Sequence, residues 1–338
     1  MLKLKAAVFN GKRIVLKEVP KPFPEEHQVL IRVRAVGICG TDLAISKRKI
    51  LTPIPIIIGH EFAGEVVVDN SDSDISLIGQ RVTAEINTNI CGQCYFCKRN
   101  IHTQCLERKA LGIHINGAMA DYLAIDVSLL HKIPDSVSYE EATFIEPLAA
   151  AYQTFEMMSI NNDDHIIAIF GMGKLGLLLL QIAKKKGLET IVVDGSKKKL
   201  ELAQQLGADH LINRHDNAEV PRIIKNMSEV GADIVIDASG SPQALKDVVS
   251  SCRSRGKLHI KSTHGEPTRI NLTEIVQREI TLYTSRCGPF KKAIDALKSN
   301  YVIVGKLNTH IYSLEQVEQV FNSYGNNKDH IRTILTNY

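Results

Sequence analysis

Ile167-Ala-Ile-Phe-Gly171-Met-Gly173-Lys174-Leu175-Gly176 runs from an apolar stretch of β-formers through a glycine turn into a helical pattern. That order is what a phosphate-binding turn requires. Gly171 permits the sharp turn, Gly173 lets a backbone approach a pyrophosphate, and Gly176 allows a helix to pack close against its strand. With Lys174 and Leu175 between the glycines, the helix start presents unpaired N–H groups to phosphate oxygens. Glycines in this spacing are a weak signal alone. Here Thr190 to Val193 forms the next strand and ends on Asp194, at the distance expected for a carboxylate that reads a ribose hydroxyl. Asp194 would repel a 2′-phosphate, so NAD is expected rather than NADP. Lys197, Lys198 and Lys199 temper this, as a basic cluster could accept a phosphate, although Lys197 and Lys198 read more readily as a solvated first helical turn.

Outward from this turn, apolar strands alternate with helical patterns: helix 148–158, strand 166–170, helix 175–186, strand 190–193, helix 197–206, strand 234–238, helix 243–252, and strands 257–261 and 280–284. Buried strands alternating with helices predict a doubly wound parallel sheet. Upstream the texture differs. Leu4 to Phe9, Arg13 to Glu18, Gln28 to Val36 and Gly64 to Val68 are short and rich in β-branched residues. Asn10-Gly11 and the prolines at 20, 22 and 24 punctuate them, and a compact barrel-like domain is expected. After about Pro289 the pattern returns to mixed helix and strand. A chain of 338 residues fits two domains.

The second strong signal is Cys91-Gly-Gln-Cys94-Tyr-Phe-Cys97, followed by Cys105. Four thiolates from one loop suit the tetrahedron of a closed, structural zinc. A disulfide framework belongs to small secreted domains, and the usual iron–sulfur run ends on a three-residue spacer and a proline that this chain lacks. A closed four-thiolate site leaves no open position for a substrate, so the chemistry must lie elsewhere.

Composition narrows the partners. The chain is 44% apolar and 23% charged with a net charge of +4, which does not argue for nucleic acid. The first residues hold no apolar stretch long enough for a signal peptide, and the runs at 54–58 and 177–180 are too short to span a membrane. A cytoplasmic protein acting on a small molecule is the expectation.

Gly37-Ile-Cys39-Gly-Thr41-Asp42 and Gly59-His60-Glu61 each lie beside a predicted strand. Alone, Cys39 reads equally as a buried small hydrophobe and His60 as a core histidine. Together with the cysteine run, Glu146-Pro147-Leu148-Ala149, the glycine turn and Gln204-Gln-Leu-Gly-Ala-Asp209, they give the whole chain a resemblance to the zinc-dependent medium-chain dehydrogenase/reductase family, near its sorbitol and threonine dehydrogenase branch.

That resemblance implies an α/β architecture: a GroES-like β-barrel catalytic domain over 1–147 and 289–338, with a structural zinc lobe at about 88–108, and a Rossmann NAD-binding domain over 148–288. It implies two zinc ions per chain. Cys39 and His60 would be catalytic zinc ligands, with either Glu61 or Glu146 as the third. Asp42 would orient the histidine, Thr41 would begin proton release from the alcohol, and Lys199 would lie near the adenosine ribose. Where many relatives end the proton relay on a histidine this chain has Ala44, so the proton needs another exit. The implied reaction is hydride transfer between a secondary alcohol and NAD, with zinc stabilising the alkoxide. A carboxylate in place of a second thiolate makes the site harder, which suits polyol- or hydroxy-acid-like substrates. A zinc-independent quinone or enoyl reductase, or a non-catalytic nucleotide sensor, are the alternatives on the same scaffold. In relatives the strand at 280–286 forms dimers, so a homodimer or homotetramer is expected through this edge.

Overall fold

The structure, a computed structural model, describes residues 2–71, 75–216, 219–263, 265–307, 310–324 and 329–337. The chain divides into two compact units. The first comprises Met1–Glu146, Phe290–Asn326 and Arg332–Tyr338; the second comprises Pro147–Pro289 and Asn327–Ile331. The return of Asn327–Ile331 to the second unit was not anticipated, because no change in composition announces it.

In the first unit the strand Gln28–Gly37 is the spine. It pairs antiparallel with Glu61–Asp69, Tyr122–Asp126 and Thr333–Thr336. The sheet continues through Arg81–Ala84 to Leu130–Lys132 on one side and to His310–Ser313 on the other. Two register shifts against Glu61–Asp69 bend the spine, as expected where a sheet curls into a barrel. A second sheet holds Ile14–Pro20, Lys3–Phe9 and Ile56–Ile57. The Asn10-Gly11 turn joins its first two strands, with Asn10 Oδ1 accepting from the N–H groups of Lys12 and Arg13. Asn87–Thr88 and Lys109–Ala110 form a small ribbon at the base of the cysteine loop.

In the second unit six strands run parallel in the order His210–Asn213, Glu189–Asp194, Ile166–Phe170, Ala232–Asp237, Cys252–Ile260, Thr281–Thr284. The chain starts in the middle, works out to one edge, then crosses back to build the other half. Ligands bind outside the carboxyl ends of such strands at the reversal, here between Ile166–Phe170 and Ala232–Asp237. Ile167, Ala168, Ile169, Ile234, Val235 and Ile236 are inaccessible to solvent, as central strands covered on both faces should be. The helix Lys174–Lys185 buries Leu177 through Ala183, and its basic last turn suits the negative end of its dipole. Among the described residues no helix is long and apolar enough to cross a membrane.

Several elements differ from expectation. The strand expected at 257–261 begins at Cys252, with a shift of register between Ala232 and Ile234. The helix expected at 148–158 begins at Ile145, which puts Glu146 in its first turn. Short helices at Gly40–Ser46, Val220–Ser228 and Phe290–Lys298 were unmarked, because each is brief and depends on a cap or an apolar face supplied by tertiary packing.

Candidate active site and nucleotide pocket

Cys39 follows the spine strand by two residues and caps the helix Gly40–Ser46. The cap is closed by Asp42, whose Oδ2 accepts the Cys39 N–H at 2.8 Å. Its Oδ1 accepts the N–H of Gly59 at 3.2 Å, so one buried carboxylate fixes both sequence motifs. Gly59 itself has φ +95, and a β-carbon there would lie 2.5 Å from Met119 Cγ. Only glycine fits, and the turn it makes carries His60 and Glu61 inward.

Donor atoms of Cys39, His60 and Glu61 lie within 4.8 Å of one another. Glu146 stands outside this group, but its charge still acts on His60. Burial pushes the His60 imidazole pKa down, but a hydrogen bond with the Cys39 sulfur and the charges of Cys39, Asp42 and Glu146 push it up further. The ring therefore holds a proton well above its ordinary range, where a cluster of anionic donors calls for a cation. His60 Nδ1 has no hydrogen-bond partner among the described residues. Asp42 Oδ1 is 3.8 Å away, beyond hydrogen-bonding distance but on the side from which it can orient the ring. The Thr41 hydroxyl lies 3.7 Å from Cys39 Sγ. Ala44 is buried and offers no group to a proton relay.

The residue that sequence reasoning missed is Arg332. Fully buried, it donates to Glu61 Oε2 at 2.7 Å and to the carbonyl and hydroxyl of Thr143 at 2.8 and 2.9 Å. Its guanidinium lies 4.2 Å from the centroid of the Phe144 ring. A carboxylate presents two oxygens, and Arg332 fixes one of them. Tyr324 is also close enough to feel the charges of Arg332 and Glu61, and burial pushes its phenol pKa up. Neither residue carries a local sequence signal, since both come from the tail, about 270 residues from the motifs they serve.

The four cysteines of the loop meet at one point. Sulfur–sulfur distances are 3.9 Å for Cys91–Cys97, 3.5 Å for Cys94–Cys97 and 3.6 Å for Cys91–Cys105. A zinc tetrahedron with Zn–S bonds of about 2.3 Å has edges of about 3.8 Å, so one zinc fits between them. N–H groups of Leu106 and Cys97 lower the Cys94 thiol to about 6, whereas burial and the neighbouring sulfurs push Cys97 up to about 12. Four thiolates cannot share this space without a cation among them.

In the second unit, a cavity of about 330 Å³ opens beside the glycine turn, lined by Gly171, Asp194, Ser196, Lys199, Arg214 and His215 among others. Gly171 has φ +93, and a β-carbon on Gly176 would sit 1.8 Å from its carbonyl oxygen. Gly173 caps the helix Lys174–Lys185 without a side chain, and a β-carbon there would meet nothing within 4 Å. The helix start at Lys174 and Leu175 thus carries no side-chain cap, and helix starts of this kind suit an approaching anion. Asp194 accepts the N–H of Met172 at 2.7 Å and of Ser196 at 2.8 Å. Arg214, His215 and Ser196 were not anticipated, because the first two follow an unmarked strand and the third reads as an ordinary helix cap.

Residues 25–135 match the family described as "Alcohol dehydrogenase GroES-like domain", and residues 175–299 the family described as "Zinc-binding dehydrogenase". The chain is 34% identical over 328 residues to a sorbitol dehydrogenase of Bacillus subtilis (strain 168), covering 93% of this chain and 92% of that one. A structure from Sinorhizobium meliloti 1021 bound to NADP superposes with a TM-score of 0.90 at 26% identity over the whole of both chains. An alcohol dehydrogenase from E. coli CFT073 complexed with NADH also gives 0.90, at 25% identity over 99% of each. The two family matches and the full-length likeness agree with the two metal-fitting clusters and the nucleotide pocket, and the chain belongs to the zinc-type medium-chain alcohol dehydrogenase family, a family of oxidoreductases that use zinc and a nicotinamide cofactor.

Proposed function

We propose that the chain oxidises a secondary alcohol of the polyol, sugar or amino-alcohol class, with NAD as hydride acceptor, and catalyses the reverse reduction. The convergence of Cys39, His60 and Glu61 carries this proposal. Cys39 and His60 hold a catalytic zinc, with Glu61 or Glu146 as third ligand, and Cys91, Cys94, Cys97 and Cys105 hold a structural one. When bound, the catalytic zinc supplies Lewis acidity that makes a hydroxyl group acidic near neutral pH.

The chain's own residues do the rest. Asp42 fixes the Cys39 backbone and faces the imidazole, while Arg332 holds Glu61 by one oxygen. Thr41, whose hydroxyl lies 3.7 Å from Cys39 Sγ, would take the substrate's hydroxyl proton as it passes on its own. Because Ala44 cannot continue that relay, the proton would leave by ribose hydroxyls and water or by another histidine. Asp194 supports NAD over NADP, since its carboxylate accepts hydrogen bonds from ribose hydroxyls and repels a 2′-phosphate. The sorbitol dehydrogenase relative supports a polyol among the substrate classes. The four-thiolate cage, which needs reduced cysteines, favours a cytoplasmic setting. The edge strand Thr281–Thr284, with Leu282 46% exposed, supports assembly into a homodimer or homotetramer.

The test is a panel of polyols, sugars, 3-hydroxy amino acids and simple alcohols, run with NAD and NADP after zinc loading. The expected result is NAD-linked oxidation of one class with about two zinc ions per chain, and loss of one zinc and of activity in Cys39→Ala. A single zinc, together with unchanged oxidation by that variant, would overturn the proposal.

A further inference from the structure

The adenosine end of the nucleotide pocket carries mixed electrostatics. Lys199, Arg214 and His215 line it, and together they would welcome a phosphate; Asp194 alone opposes them. His215 presses against the turn after Asp194, since a β-carbon on Gly195 would lie 2.5 Å from its Nε2. A second acid meets one of the lining residues, Ser196, from 133 residues away. Asp329, in the short segment Asn327–Ile331 that packs with the nucleotide-binding unit, has its Oδ1 2.6 Å from the Ser196 hydroxyl. Its Oδ2 lies 3.5 Å from Lys198 Nζ.

The direction of that hydrogen bond matters. An ionised carboxylate only accepts, so the single proton of the Ser196 hydroxyl points at Asp329. The Ser196 hydroxyl, in turn, holds the Asp329 carboxyl below the usual carboxylate range, so it is ionised at neutral pH. The same Ser196 oxygen accepts the N–H of Lys199 at 3.2 Å as the cap of the helix Lys197–Gln205. Ser196 is 6% exposed and lines the cavity, so what it offers a ligand is a lone pair, with no proton left to donate. A ribose hydroxyl can donate to that lone pair. A 2′-phosphate oxygen cannot.

We propose that Asp329 is a specificity-determining residue of the adenosine pocket. By accepting the Ser196 hydroxyl's hydrogen bond, and by placing a second carboxylate on the serine whose N–H holds Asp194, it turns the pocket from 2′-phosphate toward free ribose hydroxyls. This rests on the proposed use of NAD and extends it, because Asp194 then acts as one of two acids that together offset Lys199, Arg214 and His215.

The experiment uses the full zinc-loaded chain and two probes of the adenosine half alone, 5′-AMP and adenosine 2′,5′-bisphosphate, titrated calorimetrically. Wild type is expected to bind 5′-AMP more tightly. Asp329→Asn and Asp329→Ala should each move the affinity ratio toward the bisphosphate by about five- to tenfold, the size of one screened charge interaction near a surface. General loosening of the segment would weaken both probes alike and leave the ratio unchanged. An unchanged ratio in both variants, with wild type still preferring 5′-AMP, overturns the role of Asp329 and leaves NAD use standing. A wild-type preference for the bisphosphate overturns NAD use itself, and this inference with it.

Discussion

Gly37→Ala is the most direct probe of how the candidate metal site is braced. Gly37 lies at the end of the spine strand with no positive φ, so alanine meets no backbone obstacle there. What it meets is Arg332: the new β-carbon would lie 1.8 Å from Nη2 and 2.4 Å from Cζ. The guanidinium must move, although it is fully buried and holds Glu61 and Thr143 through three hydrogen bonds. Breaking one side of a buried ion pair costs about 3–5 kcal/mol, because the other charge is left uncompensated. Gly37→Ala should therefore cost about 3 kcal/mol, and Arg332→Met about 3–5 kcal/mol. Once Arg332 is gone the space it filled is free, so Gly37→Ala in the Arg332→Met background should cost less than about 1 kcal/mol, a coupling of about 2 kcal/mol or more. The assay is urea unfolding followed by far-UV circular dichroism with zinc in excess, since the chain has no tryptophan to report by fluorescence. Additive effects of the two substitutions would refute the reasoning, for then Gly37 would be needed for something other than room for Arg332.

Two further outcomes are expected. Burial, helped by the Lys261 ammonium, pushes the His259 imidazole down to about 4, so it stays neutral in the folded chain while the unfolded chain protonates near pH 6.5. Its contribution to stability is complete above pH 6.5 and is lost as the pH falls toward 4, with a slope of up to about one proton. Urea midpoints measured across that range should fall less steeply for His259→Gln, and an unchanged slope would show that other groups dominate. Leu282→Lys, on the exposed edge strand, should yield a species of smaller mass by size-exclusion chromatography with light scattering. The same mass as wild type would count against assembly through this edge.

Much of the site was legible in the chain because its motifs are local. The cysteines at 91, 94, 97 and 105 are close in sequence, and a single loop returns them to one point. The glycine turn declares a strand, a turn and a helix start within ten residues, and the observed strand Ile166–Phe170 and helix Lys174–Lys185 follow.

What local chemistry could not specify is which distant side chain completes each charge. Glu61 and Glu146 read as equals in the sequence. Tertiary structure distinguishes them, because only Glu61 joins Cys39 and His60 within 4.8 Å, and only the strand register of Thr333–Thr336 against Gln28–Gly37 brings Arg332 to it. Asp329 is a similar case, an acid in an unremarkable tail that acquires a partner through the return of Asn327–Ile331 to the nucleotide-binding unit. Sequence by itself determined where a thiolate cage and a phosphate turn must form, since these depend on backbone geometry over a few residues. Tertiary structure alone decided how their charges are balanced, since a buried carboxylate must find its cation wherever the fold supplies one.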